Sequence, residues 1–266
     1  SGKTLSAFLW AIDSVFREKA DAADSTGTRI LYISPLKALG VDVERNLRSP
    51  LVGIGQSARR LGIHAPGVTV GVRSGDTTSS DRRKLVTNPP DILITTPESL
   101  YLMLTSRAGE TLRGVHTVII DEVHAVAATK RGAHLAVSLE RLDALRRAAG
   151  ADAPAQRIGL SATVRPIDEV ARFLGGSAPV EIVAPKASKT FELSVSVPMD
   201  DMTNPPPPPG APAADGEAAE YTEVTGSVWP HVEEAIVDRI LENNSTIVFS
   251  NSRRLAERLT GRLNEI

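Results

Sequence analysis

The sequence contains no cysteine, few aromatic residues and no long apolar run. The absence of cysteine excludes disulfides, thiolate zinc sites and cysteine nucleophiles, and it fits a cytoplasmic protein. Aromatic residues make up only 4% of the 266 residues, so the core must be mostly aliphatic side chains and alanine. No apolar stretch approaches the roughly 20 residues of a membrane-spanning helix. We therefore expect neither a signal peptide nor a membrane partner.

An excess of positive charge is also missing. The net charge is −2, so no global positive field would hold a polyanion, and a nucleic-acid partner would need local contacts. Hydrophobic residues at 41% and charged residues at 23% are ordinary for a globular protein with a sizeable core. The length suffices for one large domain or two modest ones.

Short aliphatic strands alternate with helical patterns through the first 185 residues. This alternation is typical of a parallel sheet, so we predict an α/β fold with helices on both faces of the sheet. The strands are predicted at 29–34, 68–72, 91–96, 115–121 and 156–163, and the helices at 5–16, 36–47, 78–86, 98–104, 132–147 and 167–174.

The alternation stops near residue 185, which we take as the end of the first domain, 1–185. Residues 186–223 form a connecting segment whose proline- and alanine-rich part, 203–220, has almost nothing to bury. We expect this part to be a solvated, disordered insert. After it, "WPHVEEAIVDRILE" predicts a helix, "TIVFSN" a strand and "SRRLAERLTGRL" a helix. A second α/β unit is therefore expected over 224–266.

The chain opens with "SGKT", and an apolar helix pattern follows directly. A small residue, a glycine, a lysine and a hydroxyl residue at the start of a helix are typical of the end of a phosphate-binding loop. Ser1 and Gly2 would belong to this loop, Lys3 would contact the β and γ phosphates, and Thr4 would bind magnesium. The helix dipole would assist. Alone, such a tetrapeptide is commonplace at a helix start.

"TVIIDEVH" places two acids, Asp121 and Glu122, directly after an apolar strand. Ligands of open parallel sheets lie beyond the carboxyl ends of the strands. One carboxylate can hold Mg²⁺, and its neighbour can accept a proton from an attacking water. Acidic residues at the end of a strand often only mark the point where the chain leaves the sheet and enters solvent. In combination with Lys3 and Thr4, however, the pair predicts a site for ATP and Mg²⁺.

Four other segments carry polar residues at strand ends. In "GLSATV", Ser161 and Thr163 could alternatively cap the helix that follows. Singly, each segment is more often a turn or a solvated face, but four on one side of one sheet predict a track for a nucleic-acid backbone. The other three segments contain Ser34, Pro35 and Lys37; Arg73, Ser74, Gly75 and Asp76, followed by Arg82, Arg83 and Lys84; and Thr95, Thr96, Pro97 and Glu98.

Read in order, SGKT, SPLKAL, TTPESL, DEVH, LSAT and FSNSR resemble the motifs of a superfamily 2 helicase of the DEAD/DEAH type. "IIDEVHAVAATKRGAHLAVSLERL" and "VRSGDTTSSDRRKLVTNPPDILITTPESLYLML" are more narrowly similar to the bacterial large helicase-related (Lhr) family, and the residue usage suggests an actinobacterium. The likeness covers nearly all of the chain outside the insert. It implies a RecA-like first motor domain without its first strand, and the beginning of a second RecA-like domain.

The resemblance also implies residue roles. Lys3 and Thr4 match the motif that binds phosphate and magnesium, Asp121 the magnesium-anchoring acid, and Glu122 the acid that polarises the attacking water. His124 matches the residue that links the nucleotide site to the strand-gripping surface, or it is a histidine hydrogen-bonded within the core. The coupling motif is matched by Ser161, Ala162 and Thr163, and the strand-path motifs by Pro35, Lys37, Arg73, Ser74, Gly75, Asp76, Thr96, Pro97, Glu98, Ser250, Asn251, Ser252 and Arg253.

The implied activity is that of an ATP-driven motor that moves 3′-to-5′ along single-stranded DNA, unwinds DNA or RNA:DNA duplexes and serves DNA repair. An RNA helicase and a non-catalytic nucleotide-gated binding module are the alternatives, and Glu122 argues against the second. The upstream half of the phosphate loop and the later helicase motifs are not in the sequence. We therefore expect a fragment, inactive alone, whose partners include the rest of its polypeptide.

Overall fold

The chain divides into two compact units, Ser1–Pro185 and Lys186–Ile266. The computed structural model describes residues 2–21, 27–63, 67–185, 190–199, 201 and 228–265. The elements of the first unit are α1 (Lys3–Asp21), β1 (Ile30–Ile33), α2 (Lys37–Arg60), β2 (Val70–Arg73), α3 (Ser79–Thr87), β3 (Ile92–Thr95), α4 (Pro97–Leu104), a 3-10 helix (Arg107–Leu112), β4 (Thr117–Ile120), α5 (Val123–Ala127), α6 (Lys130–Ala148), β5 (Gln156–Gly159) and α7 (Ile167–Gly175).

The strands of the first unit form one parallel sheet of five strands in the order β2-β3-β1-β4-β5. Ile33, at the end of β1, lies opposite Thr95 of β3 and Ile120 of β4, and Ile120 lies opposite Gly159 of β5. All five strands therefore end at one side of the sheet. We call this side the carboxyl edge, and the loops that follow the strands converge there.

The central strands are buried on both faces because their side chains alternate between two hydrophobic cores. Leu31 and Ile33 of β1 face a core formed with α4, α5, α6 and α7. Ile30 and Tyr32 face the other core, which contains Phe8 of α1 and part of α2. Continuous aliphatic strands such as β1 suit this double burial. The predicted α/β fold, with helices on both faces of a parallel sheet, is confirmed.

Ion pairs stabilise the opposite edge of the sheet, where the strands begin. The carboxylate of Asp91, before β3, lies 2.5 Å from Nη1 of Arg29 and 2.7 Å from Nζ of Lys19. The backbone amide and hydroxyl of Thr69 donate to the same carboxylate. Asp91 is therefore buried with its charge compensated, as a structural acid in a protein core must be.

The second unit contains α8 (Trp229–Leu241) and α9 (Arg253–Leu263). The strand predicted for "TIVFSN" is wrong for this structure: residues 246–250 pair with no strand in the described ranges, and Ile247 and Phe249 are exposed. A strand needs a partner for its backbone groups as well as an apolar sequence. The predicted insert, 203–220, lies outside the described residues. No helix within the described ranges is both long and apolar enough to span a membrane.

Candidate nucleotide and nucleic-acid site

Asp121 lies at the carboxyl edge, directly after β4, and is only 8% exposed. Its Oδ2 accepts a hydrogen bond from the hydroxyl of Tyr32 on β1, and its Oδ1 accepts one from the backbone amide of Glu122 at 3.0 Å. The Tyr32 ring stacks on Phe8 of α1 at a centroid distance of 4.8 Å. Burial and the hydrogen bond to Asp121 raise the pKa of Tyr32 far above its usual value, so its hydroxyl keeps the proton that it donates.

The charge of Asp121 is not compensated within the part of the chain that the structure describes. It pairs there with no lysine, arginine or histidine, whereas the equally buried Asp91 pairs with two cations. A buried carboxylate that lacks a cationic partner is a good ligand for a metal ion. No group of three or more metal-ligating side chains occurs among the described residues. One carboxylate is nevertheless sufficient for Mg²⁺, which takes its remaining ligands from phosphates and water. The residues present therefore fit a magnesium–nucleotide complex.

Glu122 has a left-handed backbone, with φ 43° and ψ 44°, and it is the one non-glycine residue with positive φ among the described residues. This conformation costs on the order of 1–3 kcal/mol and persists where the surrounding structure enforces it, often at functional sites. Here it turns the chain directly from β4 into α5. Asp121 and Glu122 have different partners although they are adjacent in sequence: Asp121 contacts Tyr32, and Glu122 contacts His124.

A chain of contacts joins Glu122 to the loop after β5. Its Oε2 lies 3.3 Å from Nδ1 of His124, and the same nitrogen lies 3.1 Å from Oγ of Ser161. The ammonium of Lys3 donates to the backbone carbonyl of Ser161. The structure therefore brings together residues from the three predicted motifs SGKT, DEVH and LSAT. Thr4 lies half-buried in the first turn of α1, Gly2 directly precedes that helix, and Ser1 lies outside the described residues.

The alternative role of Ser161 and Thr163 as caps of the following helix is wrong. The N-cap residue of α7 is Pro166, and no side chain caps this helix. Ser161 instead contacts His124, while Ala162 and Thr163 are exposed at the carboxyl edge. The coupling role of these residues stays a prediction.

Polar residues that follow β1, β2 and β3 converge at the carboxyl edge. The hydroxyl of Thr95 donates to the carbonyl of Arg73 at 2.8 Å, and the amide of Ser34 donates to the carbonyl of Thr95 at 2.9 Å. These three residues line one small cavity together with Ser74 and Thr96. Three of the four segments predicted to form a nucleic-acid track are thus in direct contact.

The predicted strand-path residues differ in exposure. Thr96 is buried and caps α4 by accepting a hydrogen bond from the amide of Ser99, and Pro97 is buried beside it. They can therefore contact a nucleic acid mainly through the backbone. Gly75 and Asp76 are exposed. The backbone of Lys37 begins α2, but its side chain lies outside the described part of the structure.

The second unit contains the remaining predicted residues, Ser250 to Arg253. Ser252 caps α9 by accepting a hydrogen bond from the amide of Leu255, and Ser250 donates to the carbonyl of Ser252 at 2.9 Å. Arg253 is exposed and lies 3.0 Å from Glu257. Asn251 is exposed before the helix. Nucleic-acid binding by these residues stays a prediction.

Sequence reasoning missed two residues at this edge, Tyr32 and Arg131. Tyr32 interrupts an aliphatic strand, and a buried phenol that needs a partner was the available signal. Arg131, near the start of α6, donates two hydrogen bonds to the carboxylate of Glu98 and one to the carbonyl of Pro35. The Arg131 hydrogen bonds lower the pKa of Glu98 to about 2. The sequence signal was an arginine seven residues after His124 and next to Lys130, which gives no indication of its partner.

A parallel sheet in this order, with an acid pair, a lysine and hydroxyl residues gathered at its carboxyl edge, is typical of RecA-like motor domains. Residues 1–171 match the DEAD/DEAH box helicase family. The chain belongs to that family.

Comparison with individual proteins confirms the narrower resemblance to Lhr helicases. The chain is 63% identical to the Lhr helicase/probable uracil glycosylase of Mycolicibacterium smegmatis and 56% identical to the Lhr helicase/uracil glycosylase of Escherichia coli, and 100% of the chain is aligned in both cases. It spans only 16% and 17% of these two relatives. A structure of the Mycobacterium smegmatis helicase Lhr bound to ssDNA and AMP-PNP matches 100% of the chain and 30% of the solved chain, with a TM-score of 0.72 and 63% identity.

Proposed function

We propose that this chain is part of an ATP-dependent helicase that moves along single-stranded DNA. The arrangement at the end of β4 carries the proposal: Asp121 is a buried acid without a cationic partner among the described residues, and the left-handed Glu122 contacts His124, which in turn contacts Ser161. The similarity to an Lhr helicase bound to ssDNA and AMP-PNP supports ATP as the nucleotide and DNA as the partner.

The proposed chemistry assigns a separate task to each residue. Lys3 binds the β and γ phosphates of ATP, and Asp121 with the hydroxyl of Thr4 holds Mg²⁺. The ion supplies positive charge next to the phosphate oxygens. Glu122 accepts a proton from the attacking water, and its contact with His124 orients it for that purpose. Because Tyr32 and the Glu122 amide donate to Asp121, the orientation of its carboxylate is fixed.

The nucleic-acid strand is proposed to cross the carboxyl edge at the ends of β1, β2 and β3. The segments there contact each other and line one small cavity. Backbone amides and basic side chains bind phosphates without sequence preference. His124 and Ser161 connect this edge to Glu122 and Lys3. We further propose movement in the 3′-to-5′ direction, unwinding of DNA or RNA:DNA duplexes, a role in DNA repair, and a cytoplasmic location.

Two alternatives make different predictions. An RNA helicase would use the same phosphate contacts, so comparing the stimulation of ATP hydrolysis by single-stranded DNA and by single-stranded RNA of equal length separates the two. A non-catalytic nucleotide-gated module would bind ATP without turnover. The placement of Glu122 disfavours this module, because a protein that only binds ATP has no use for an acid that activates water.

The proposal is tested by Glu122→Gln in the full-length natural polypeptide that contains this chain. The variant keeps the side-chain shape but loses the proton acceptor, so we expect DNA-stimulated ATP hydrolysis to fall by roughly 10²–10⁴-fold. Binding of a non-hydrolysable ATP analogue should stay within about twofold of wild type, because Glu122 holds neither phosphate nor metal in the proposal.

Asp121→Ala is the matched comparison. It should weaken magnesium-dependent binding of the analogue itself, since the metal ligand is removed. Turnover by Glu122→Gln within a few-fold of wild type would contradict the catalytic assignment, and unchanged nucleotide binding by Asp121→Ala would contradict the magnesium assignment.

A further inference from the structure

Arg131 joins two segments of the proposed strand path. Its Nη2 donates to Oε2 of Glu98 at 2.8 Å, its Nε donates to the other carboxylate oxygen, and its Nη1 donates to the carbonyl of Pro35 at 2.5 Å. Pro35 follows β1 and Glu98 lies in the first turn of α4, which follows β3. One guanidinium therefore holds the loops after two neighbouring strands. The planar guanidinium of an arginine donates several hydrogen bonds in a fixed geometry, so it can bind both groups at once. The ammonium of a lysine cannot reproduce this geometry.

The start of α6, where Arg131 lies, packs against α5, the helix that carries His124 of the DEVH motif. Thr129 caps α6 by accepting a hydrogen bond from the amide of Gly132, and the hydroxyl of Thr129 donates to the carbonyl of Val126 in α5. A side chain at position 132 would place its Cβ 2.0 Å from that carbonyl oxygen. Helices α5 and α6 therefore approach each other as closely as glycine allows. Arg131 stands beside this contact, and the preceding helix α5 contains His124 and begins directly after Glu122.

We propose that Arg131 is the positioning residue that couples the nucleotide site to the nucleic-acid strand: it fixes the Pro35 and Glu98 segments relative to the DEVH turn. This inference rests on the proposed function and deepens it. Arg131 binds the Glu98 carboxylate and the Pro35 carbonyl, and neither group belongs to the proposed nucleotide site. The task of Arg131 is therefore separate from hydrolysis itself.

Both members of the ion pair between Arg131 and Glu98 are charged near neutral pH. Arg131 lowers the pKa of Glu98 to about 2, so the carboxylate remains charged near neutral pH. Glu98 in turn raises the pKa of Arg131 through the same hydrogen bonds. The charged pair and the hydrogen bond to the Pro35 carbonyl together connect the loops that follow β1 and β3.

The test measures ATP hydrolysis by the full-length polypeptide as a function of single-stranded DNA concentration. For Arg131→Ala we expect the DNA concentration at half-maximal stimulation to rise about tenfold, because loss of a coupling contact is worth a factor of this order. Hydrolysis without DNA should stay within about twofold. Amide hydrogen exchange at residues 34–36 and 96–99 should become faster, which reports directly on the two loops.

Three further variants distinguish positioning from simple charge attraction. Glu98→Gln should reproduce the effect of Arg131→Ala, and the double variant should add little, because the two residues act as one unit. Arg131→Lys should fail to restore DNA stimulation. The control is Arg141→Ala, which should behave as wild type. Arg141 is another arginine of α6 and lies over the Tyr101 ring.

Two outcomes would overturn the inference alone: a wild-type DNA half-saturation in Arg131→Ala, or full rescue by Arg131→Lys, which would indicate that only a point charge near the DNA is needed. A wild-type polypeptide whose ATP hydrolysis does not respond to any single strand would overturn the proposed function, and the inference with it.

Discussion

At the scale of single residues, the contact between Tyr32 and Asp121 links α1 to the proposed magnesium ligand. Tyr32 stacks on Phe8 of α1 with its ring and donates to Asp121 with its hydroxyl. Its raised pKa means that the hydroxyl remains a donor at every accessible pH. The phenol therefore fixes the orientation of a carboxylate that has no cationic partner among the described residues.

Removing this hydroxyl should weaken the response to magnesium. For Tyr32→Phe in the full-length polypeptide, we expect the Mg²⁺ concentration at half-maximal ATP hydrolysis to rise roughly tenfold, because a hydrogen bond to a charged group is worth about 1.5–3 kcal/mol. The stacking on Phe8 should survive. A magnesium titration of the hydrolysis rate measures the effect.

The control for this substitution is Tyr101→Phe, because Tyr101 is a partly exposed tyrosine of α4 that packs near His134. It should leave the magnesium response unchanged. An unaltered titration for Tyr32→Phe would mean that Asp121 keeps its orientation without the phenol.

The residues missed by sequence reasoning share one physical cause: their partners are distant in sequence. Tyr32 is 89 positions from Asp121, and Arg131 is 96 positions from Pro35. Local patterns predicted Lys3, Asp121 and Glu122 as site residues because each lies within a short motif at the end of a strand or the start of a helix. A local pattern does not indicate which buried hydroxyl or which arginine contacts those motifs in the folded sheet.

At the scale of elements, the closeness of α5 and α6 depends on Gly132. The Cβ of an alanine at this position would lie 2.0 Å from the carbonyl oxygen of Val126, a backbone atom that cannot rotate away. We expect Gly132→Ala to lower the free energy of unfolding by about 1–3 kcal/mol, as overpacking does. Chemical denaturation with a tryptophan or circular-dichroism signal measures the change.

The matched substitution is Gly55→Ala in α2. An added Cβ at that position meets nothing within 4 Å, and alanine is the better helix former. It should raise the free energy of unfolding by about 0.5–1 kcal/mol. Equal effects of the two substitutions would show that the α5–α6 contact is not as tight as the structure indicates.

Elements were predictable where burial on both faces makes the sequence continuous and apolar. β1, β3 and β4 lie within the strands predicted at 29–34, 91–96 and 115–121. The "TIVFSN" segment has the same composition but forms no strand in the described structure, because composition does not supply a neighbour with which to pair. The strand order β2-β3-β1-β4-β5 is likewise a property of the assembled sheet.

At the scale of the whole molecule, the proline-rich segment should be dispensable. It contains almost no apolar side chains, so it can bury little surface and contribute little to stability. Deleting Pro205 to Ala214 should leave the melting temperature and the ATP hydrolysis rate of the full-length polypeptide unchanged. A large loss of either would mean that the prolines dock against a folded part of the protein.

The most direct measurement is ATP-dependent displacement of a labelled strand from a duplex with a 3′ single-stranded overhang. The wild-type full-length polypeptide should displace the strand only when ATP is present. Glu122→Gln should bind the same substrate and displace almost none. Displacement by Glu122→Gln at the wild-type rate, or by the wild type without ATP, would contradict the claim that hydrolysis at Asp121 and Glu122 drives this protein along a nucleic-acid strand.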